Sequence, residues 1–166
     1  MSTDNFSDII EAHKAAERVL GETKEASTPG GAHLAVRLRG CFVTDFSVAS
    51  EGGTPTRILY GDPDIETPKL TASHIMAPAG PYDGIGGQHG YARWADYAAF
   101  PQSNEQILAF QAKRPDLGMG VKKLFGLGNH SLNTTTTLTN HEDEPIDTSI
   151  GEHLYFDLPD ASTDGL

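Results

Sequence analysis

The chain has 166 residues, and its 12 Lys and Arg against 23 Asp and Glu give a formal net charge of −11. That length suits one domain with a sizeable core, and that charge speaks against nucleic acid, whose phosphates it would repel. The single cysteine, Cys41, excludes an intrachain disulfide and a cysteine-based zinc site. No apolar run approaches the ~20 residues of a membrane span, and no basic region followed by a long apolar run opens the chain. The expected setting is therefore the cytoplasm, with no membrane partner. Gly (18) and Pro (10) are together enriched, which favours many turns and a sheet-rich protein over a helical bundle.

In chain order, residues 5–20 read as a helix. Asn5 or Ser7 can cap it, Asp8 and Glu11 suit its positive end, and Ile9, Ala12, Ala16, Val19 and Leu20 approximate one face. Residues 21–31 mix Ser, Thr, Pro and Gly and read as a linker. The expected organisation is thus a helix and linker over 1–31 and a β domain over 32–166. Leu34, Val36 and Leu38 alternate with Ala35 and Arg37 as in a half-buried strand. Phe42 to Val48 follows Gly40, predicting a hairpin. Arg57 to Tyr60 is a short strand between turn-formers. Residues 63–90 carry much Gly and Pro and little periodicity, the profile of a functional loop. Tyr91 to Phe100 alternates loosely, Ile107 to Arg114 more clearly, and Ser131 to Thr139 is rich in β-branched residues.

Ile150 to Leu158 is the cleanest strand pattern. Alternation puts Ile150, Leu154, Phe156 and Leu158 on one face, expected to be the core face. His153, Tyr155 and Asp157 share the other, directed to solvent or a cleft. Glu152 falls on the apolar face and breaks the pattern. The stretch Gly86-Gly87-Gln88-His89-Gly90-Tyr91-Ala92-Arg93-Trp94 sets an imidazole among glycines ahead of an arginine and the chain's one tryptophan. Histidine exchanges protons near neutrality, and arginine offers a planar fork of donors to oxygen-rich ligands. Each histidine has a plainer local reading: His89 as a solvated turn residue, His153 as a surface or hydrogen-bonded one. His130, His141 and His153 with Glu142 and Asp143 match no short metal-ligand spacing, and Gly84-Ile85-Gly86-Gly87 lacks the lysine of a phosphate loop.

His89-Gly90-Tyr91-Ala92-Arg93-Trp94, followed by Thr139-Asn140 and then by Gly151-Glu152-His153-Leu154-Tyr155-Phe156-Asp157-Leu158, resembles the aldose 1-epimerase (mutarotase) family. The resemblance runs over roughly residues 32–160. It implies an antiparallel β-supersandwich of the galactose mutarotase-like type, and a cofactor-independent isomerase that interconverts sugar anomers. His153 would be the general acid on the ring oxygen, and His89 and Arg93 would bind sugar oxygens, with neither metal nor organic cofactor. The phosphorylated branch, acting on hexose 6-phosphates, is a close variant that would need further cations, for which Arg57 is a candidate. The family's base is a glutamate from a C-terminal half without counterpart in this sequence; Asp83 is the local carboxylate whose geometry is open. The expectation is therefore the N-terminal portion of a mutarotase-like protein, with exposed strand edges that invite self-association or a complementing C-terminal half. A non-catalytic carbohydrate-binding module, or an inactive fragment lacking the base, is the second reading.

Overall fold

The fold is that of a computed structural model, which describes residues 22–50, 52–60, 73–77, 90–101, 104–112 and 118–157. It is all-β with antiparallel sheets, as the strand-rich sequence predicts. The first sheet is a meander of β1 (Thr23–Ser27), β2 (His33–Arg37), β3 (Phe42–Ala49) and β4 (Pro55–Leu59), in that order. The chain then supplies β5 (His74–Met76) and a 3-10 turn at Tyr91–Arg93. The second sheet is another meander, of β6 (Tyr97–Ala99), β7 (Ile107–Ala112), β8 (Met119–Gly128) and β9 (Ser131–Asn140). Last comes β10 (Gly151–His153), which returns to pair with β5.

One hydrophobic core joins all of this. Leu34, Val36, Val43 and Phe46 come from the first sheet, and Leu108, Phe110, Val121 and Phe125 from the second. Ile75, Ala77, Tyr91 and Ala92 come from the segment between them. Buried aliphatic and aromatic side chains of this kind each contribute about 1.5–3 kcal/mol. The interior is thus sandwich-like, fed from two meanders.

Several expected elements stand where the sequence put them: the β2–β3 hairpin, β4, β7 and β9. Others differ. Residues 23–27, read as part of a linker, form β1, paired residue for residue with β2 from Thr23↔Arg37 to Ser27↔His33. Its Thr-Lys-Glu-Ala-Ser sequence carries one apolar residue, Ala26, which is the one buried; the strand is held by its ladder rather than by a hydrophobic face. Tyr91–Arg93 is a 3-10 turn rather than extended chain, entered through Gly90 at φ 75°. The helix expected over residues 5–20 lies outside the described residues.

The face assignment at the last strand is reversed. Ile150, Leu154 and Phe156 are 49%, 48% and 57% exposed, whereas His153, Tyr155 and Asp157 are half-buried. The regular ladder covers only Gly151–His153, after which the chain forms a single bridge, Leu59↔Phe156. On the imidazole side, His153 packs against the rings of His74 and Tyr155. The aliphatic side of Leu154 opens instead onto a cleft shared with Leu132 and Thr134 of β9.

The β2–β3 turn is the tightest joint. Gly40 and Cys41 both have left-handed backbone, at φ 72° and 52°, a conformation that favours glycine. Gly40 N–H donates to the Ala95 carbonyl at 2.8 Å, and Arg39 bridges to Asp96, so the turn is fastened to the chain just after the 3-10 turn. A Cβ on Gly40 would lie 2.1 Å from Phe42 Cε2 and 2.3 Å from the Arg93 carbonyl oxygen. Gly40→Ala is therefore expected to cost about 2 kcal/mol or more, read as a lowered urea midpoint with an unchanged m value.

Candidate functional site

His74 and His153 face one another across the β5–β10 ladder. Their ring centroids are 5.2 Å apart in an edge-on arrangement. Tyr155 completes the group, 4.8 Å from the His153 ring and 6.3 Å from that of His74, and Phe42 packs on the far side of His74 at 5.0 Å. Tyr155 is held by its backbone: its N–H donates to Ser73 Oγ at 3.1 Å, and its carbonyl accepts from Tyr60 N–H at 2.9 Å.

Arg93 lies on the 3-10 turn, which packs against β5. The turn is tied to the end of β5 by Ala92 N–H donating to the Ala77 carbonyl at 3.1 Å. Tyr91 and Tyr97 anchor it further, their hydroxyls donating to the Met119 and Ala92 carbonyls. The Arg93 side chain is buried, its guanidinium 5.1 Å from the Trp94 ring centroid. Burial lowers its pKa, and the nearby Tyr155 hydroxyl opposes that shift. His74 Nε2, Arg93 Nε and His153 Nδ1 are all shielded from solvent. Of the three residues singled out by sequence, His153 lies against Tyr155, and Arg93 stands on the turn that packs against β5. The third, His89, lies outside the described residues, as does Asp83.

The sequence reading missed His74. It sits in the Gly- and Pro-rich stretch without periodicity, and a three-residue strand is too short to announce itself. It also missed Lys123. β8 alternates strictly, with Met119, Val121, Lys123, Phe125 and Leu127 inward, and a lysine at the centre of that face disguises the pattern. The Lys123 side chain is 2% exposed, ion-paired with Glu152. Its Nζ also donates to Thr136 Oγ1 at 3.0 Å, and Thr136 Oγ1 donates to Glu152 Oε1 at 3.0 Å. Glu152, the residue that broke the strand pattern, is the carboxylate that neutralises a buried ammonium. The pair borders a cavity of about 20 Å³ lined by Cys41, His74, Phe125, Leu132 and Leu154 among others, room for about one water.

Cys41 in this cavity is not a nucleophile. Burial pushes its thiol pKa well up, Lys123 opposes and Glu152 adds, so the thiolate needed for reactivity does not form near neutrality. Arg57, the further cation considered for a phosphate, is engaged elsewhere: its Nε lies 3.4 Å from Asp45 Oδ1, and Asp45 Oδ2 also meets His33 Nδ1 at 2.9 Å. Among the described residues, no group of three or more His, Cys, Asp or Glu is arranged to hold a metal ion. No helix among them is long and apolar enough to cross a membrane. Comparison with protein-family models, with curated proteins and with solved structures finds no match in any of the three.

Two outcomes follow from the interior charges. Truncating Glu152 strands an ammonium in the core, whereas replacing Lys123 by an apolar chain leaves a carboxylate that can turn to water. Glu152→Ala is expected to lose about 2–3 kcal/mol and Lys123→Met about 1 kcal/mol or less, compared by urea unfolding. The second outcome concerns pH. An unfolded thiol ionises near ~8.5 while the folded Cys41 keeps its proton, so its contribution is complete below that pH and is lost as pH rises above it. Unfolding midpoints of the wild type should fall as pH is raised from about 8 to 10, and fall less steeply for Cys41→Ala.

Proposed function

We propose that the cluster of His153, His74, Tyr155 and Arg93 is a carbohydrate site, and that the chain contributes to anomer interconversion of aldoses. The observation that carries the reading is the ring cluster of His74, His153 and Tyr155, with the turn that bears Arg93 packed against β5. Anomer exchange asks for a group that gives a proton to the ring oxygen as the bond from that oxygen to C1 breaks. It also asks for one that takes the C1 hydroxyl proton. The open-chain aldehyde then rotates about C1–C2 and recloses by the reverse transfers. His153 is the proton donor to the ring oxygen in this scheme, and His89 and Arg93 hold sugar oxygens. Positioned proton transfers of this kind contribute about 10² to 10⁴ in rate. A neutral aldose fits better than its 6-phosphate, because Arg57 is already paired with Asp45. A cytoplasmic setting accords with a buried free thiol as the one cysteine.

A second reading, sugar binding without turnover, draws on Glu152. It is adjacent to His153 in sequence, yet it is committed to Lys123 and thereby withheld from base catalysis. Polarimetry separates the two. Freshly dissolved α-glucose or α-galactose should equilibrate faster with the protein, and His153→Asn should lower kcat by about tenfold or more with an unchanged circular dichroism spectrum. No acceleration on any common aldose or its 6-phosphate would remove the catalytic reading. Calorimetric titration with the same sugars would then decide whether binding survives it.

A further inference from the structure

The ends of the two sheets are not finished alike. β1 carries Lys24 and Glu25 along its length. β4 opens with Pro55 and carries Arg57. β6 is three residues long. Charges, proline and brevity are the devices by which natural sheets keep an edge from pairing with another chain. β9 has none of them. Its sequence, Ser-Leu-Asn-Thr-Thr-Thr-Thr-Leu-Thr-Asn, has no charge and no proline, and its central run is β-branched. Its ladder with β8 runs from Met119↔Asn140 to Gly128↔Ser131 without a register shift, so no bulge turns the edge away. No residue of β9 is buried, and among the described residues β8 is its one ladder partner.

We propose that β9 is a self-pairing edge, joining antiparallel to β9 of a second copy so that the two four-stranded sheets become continuous. Copies of a chain with net charge −11 repel one another, so close approach is least opposed along a strip without unpaired carboxylates. β9 is such a strip. A strongly charged peptide would find nothing on β9 to read, whereas an antiparallel edge is complementary to itself about a two-fold axis. The surroundings fit a covered surface: Leu154, beside Leu132 at the cleft mouth, is 48% exposed, and Ile146 and Ile150, soon after β9, are 37% and 49% exposed. The axis stands perpendicular to the sheet, which keeps each strand's two faces on the same sides. Opposed residues therefore share parity in sequence, and one residue near the strand's centre faces its own copy. This inference is independent of the sugar-site reading.

Sedimentation velocity over a dilution series tests it, with wild type beside the double substitution Thr135→Lys and Thr137→Lys. Both threonines are exposed, so the lysines leave the interior untouched while setting like charges against each other across the axis. The expected result is a wild-type dimer whose Kd rises about tenfold or more in the variant, with the circular dichroism spectrum unchanged. Single cysteines at positions 133, 135 and 137, or at the intervening positions, should include one that forms an intermolecular disulfide on mild oxidation. A wild-type monomer at every concentration overturns the proposal, whether β9 amides exchange freely with deuterium or are protected by another part of the same chain. A dimer indifferent to the lysine pair overturns it too, since another surface would then hold the copies together.

Discussion

The antiparallel pairing of β5 with β10 is the joint on which the other parts converge. It matches only three residues with three, too few to be stable alone, yet it reaches every layer. Ser73, just before β5, bridges to Val43 of β3, and Phe156, just after β10, bridges to Leu59 of β4. Ala77 accepts from the 3-10 turn. Glu152 within β10 reaches across to Lys123 of the second sheet. The short ladder is supported from four directions, and in return it fixes His74 opposite His153. Backbone register sets the imidazole pair, which gives the site a rigid base of the kind that holds side chains more precisely than loops do.

Much of the architecture was legible because apolar and β-branched runs between turn-formers mark strands. Leu34, Val36 and the Phe42–Val48 run were placed that way, although β2 and the start of β3 are buried on both faces rather than one. The failures have separate physical causes. β1 is held by hydrogen bonds and carries one apolar residue, so periodicity had nothing to detect. β8 buries a lysine where the pattern asks for a hydrophobe, and Gly126 and Gly128 blur its outward face. At β10 the alternation was read correctly but assigned to the wrong sides. Composition says which residues share a face, and only the neighbours say which face is covered. Here the imidazole and phenol side packed into a ring cluster with His74, and the aliphatic side was left exposed. Arg93 and His153 were legible as chemistry-bearing residues, but His74 was not, since its role comes entirely from standing across a ladder from a residue far away in the chain.

The interior encloses several polar and charged side chains. Lys123, Arg93 and His74 are all buried, and each charged group withdrawn from water has to be matched by charge or hydrogen bonds. For Lys123 the match is complete and local: a carboxylate, a hydroxyl and the face of Phe125, whose ring centroid lies 5.3 Å from Nζ. Because Glu152 belongs to β10 and Lys123 to β8, this pair ties the β5–β10 ladder to the second sheet. It also dictates which face of β10 carries the carboxylate, and so leaves the His153 side to imidazole and phenol. Electrostatic matching in the core and the chemistry of the candidate site are set by one alternation.

Trp94 is the chain's one tryptophan. It follows Arg93 directly, is half-buried, and lies against the Arg93 guanidinium. Indole emission responds to the polarity and charge around the ring, so the protein's tryptophan emission originates beside the candidate site and nowhere else. A molecule that drew Arg93 away from that ring would change the emission without any label being attached. The arginine that lends the site its positive charge also gives it an optical reporter.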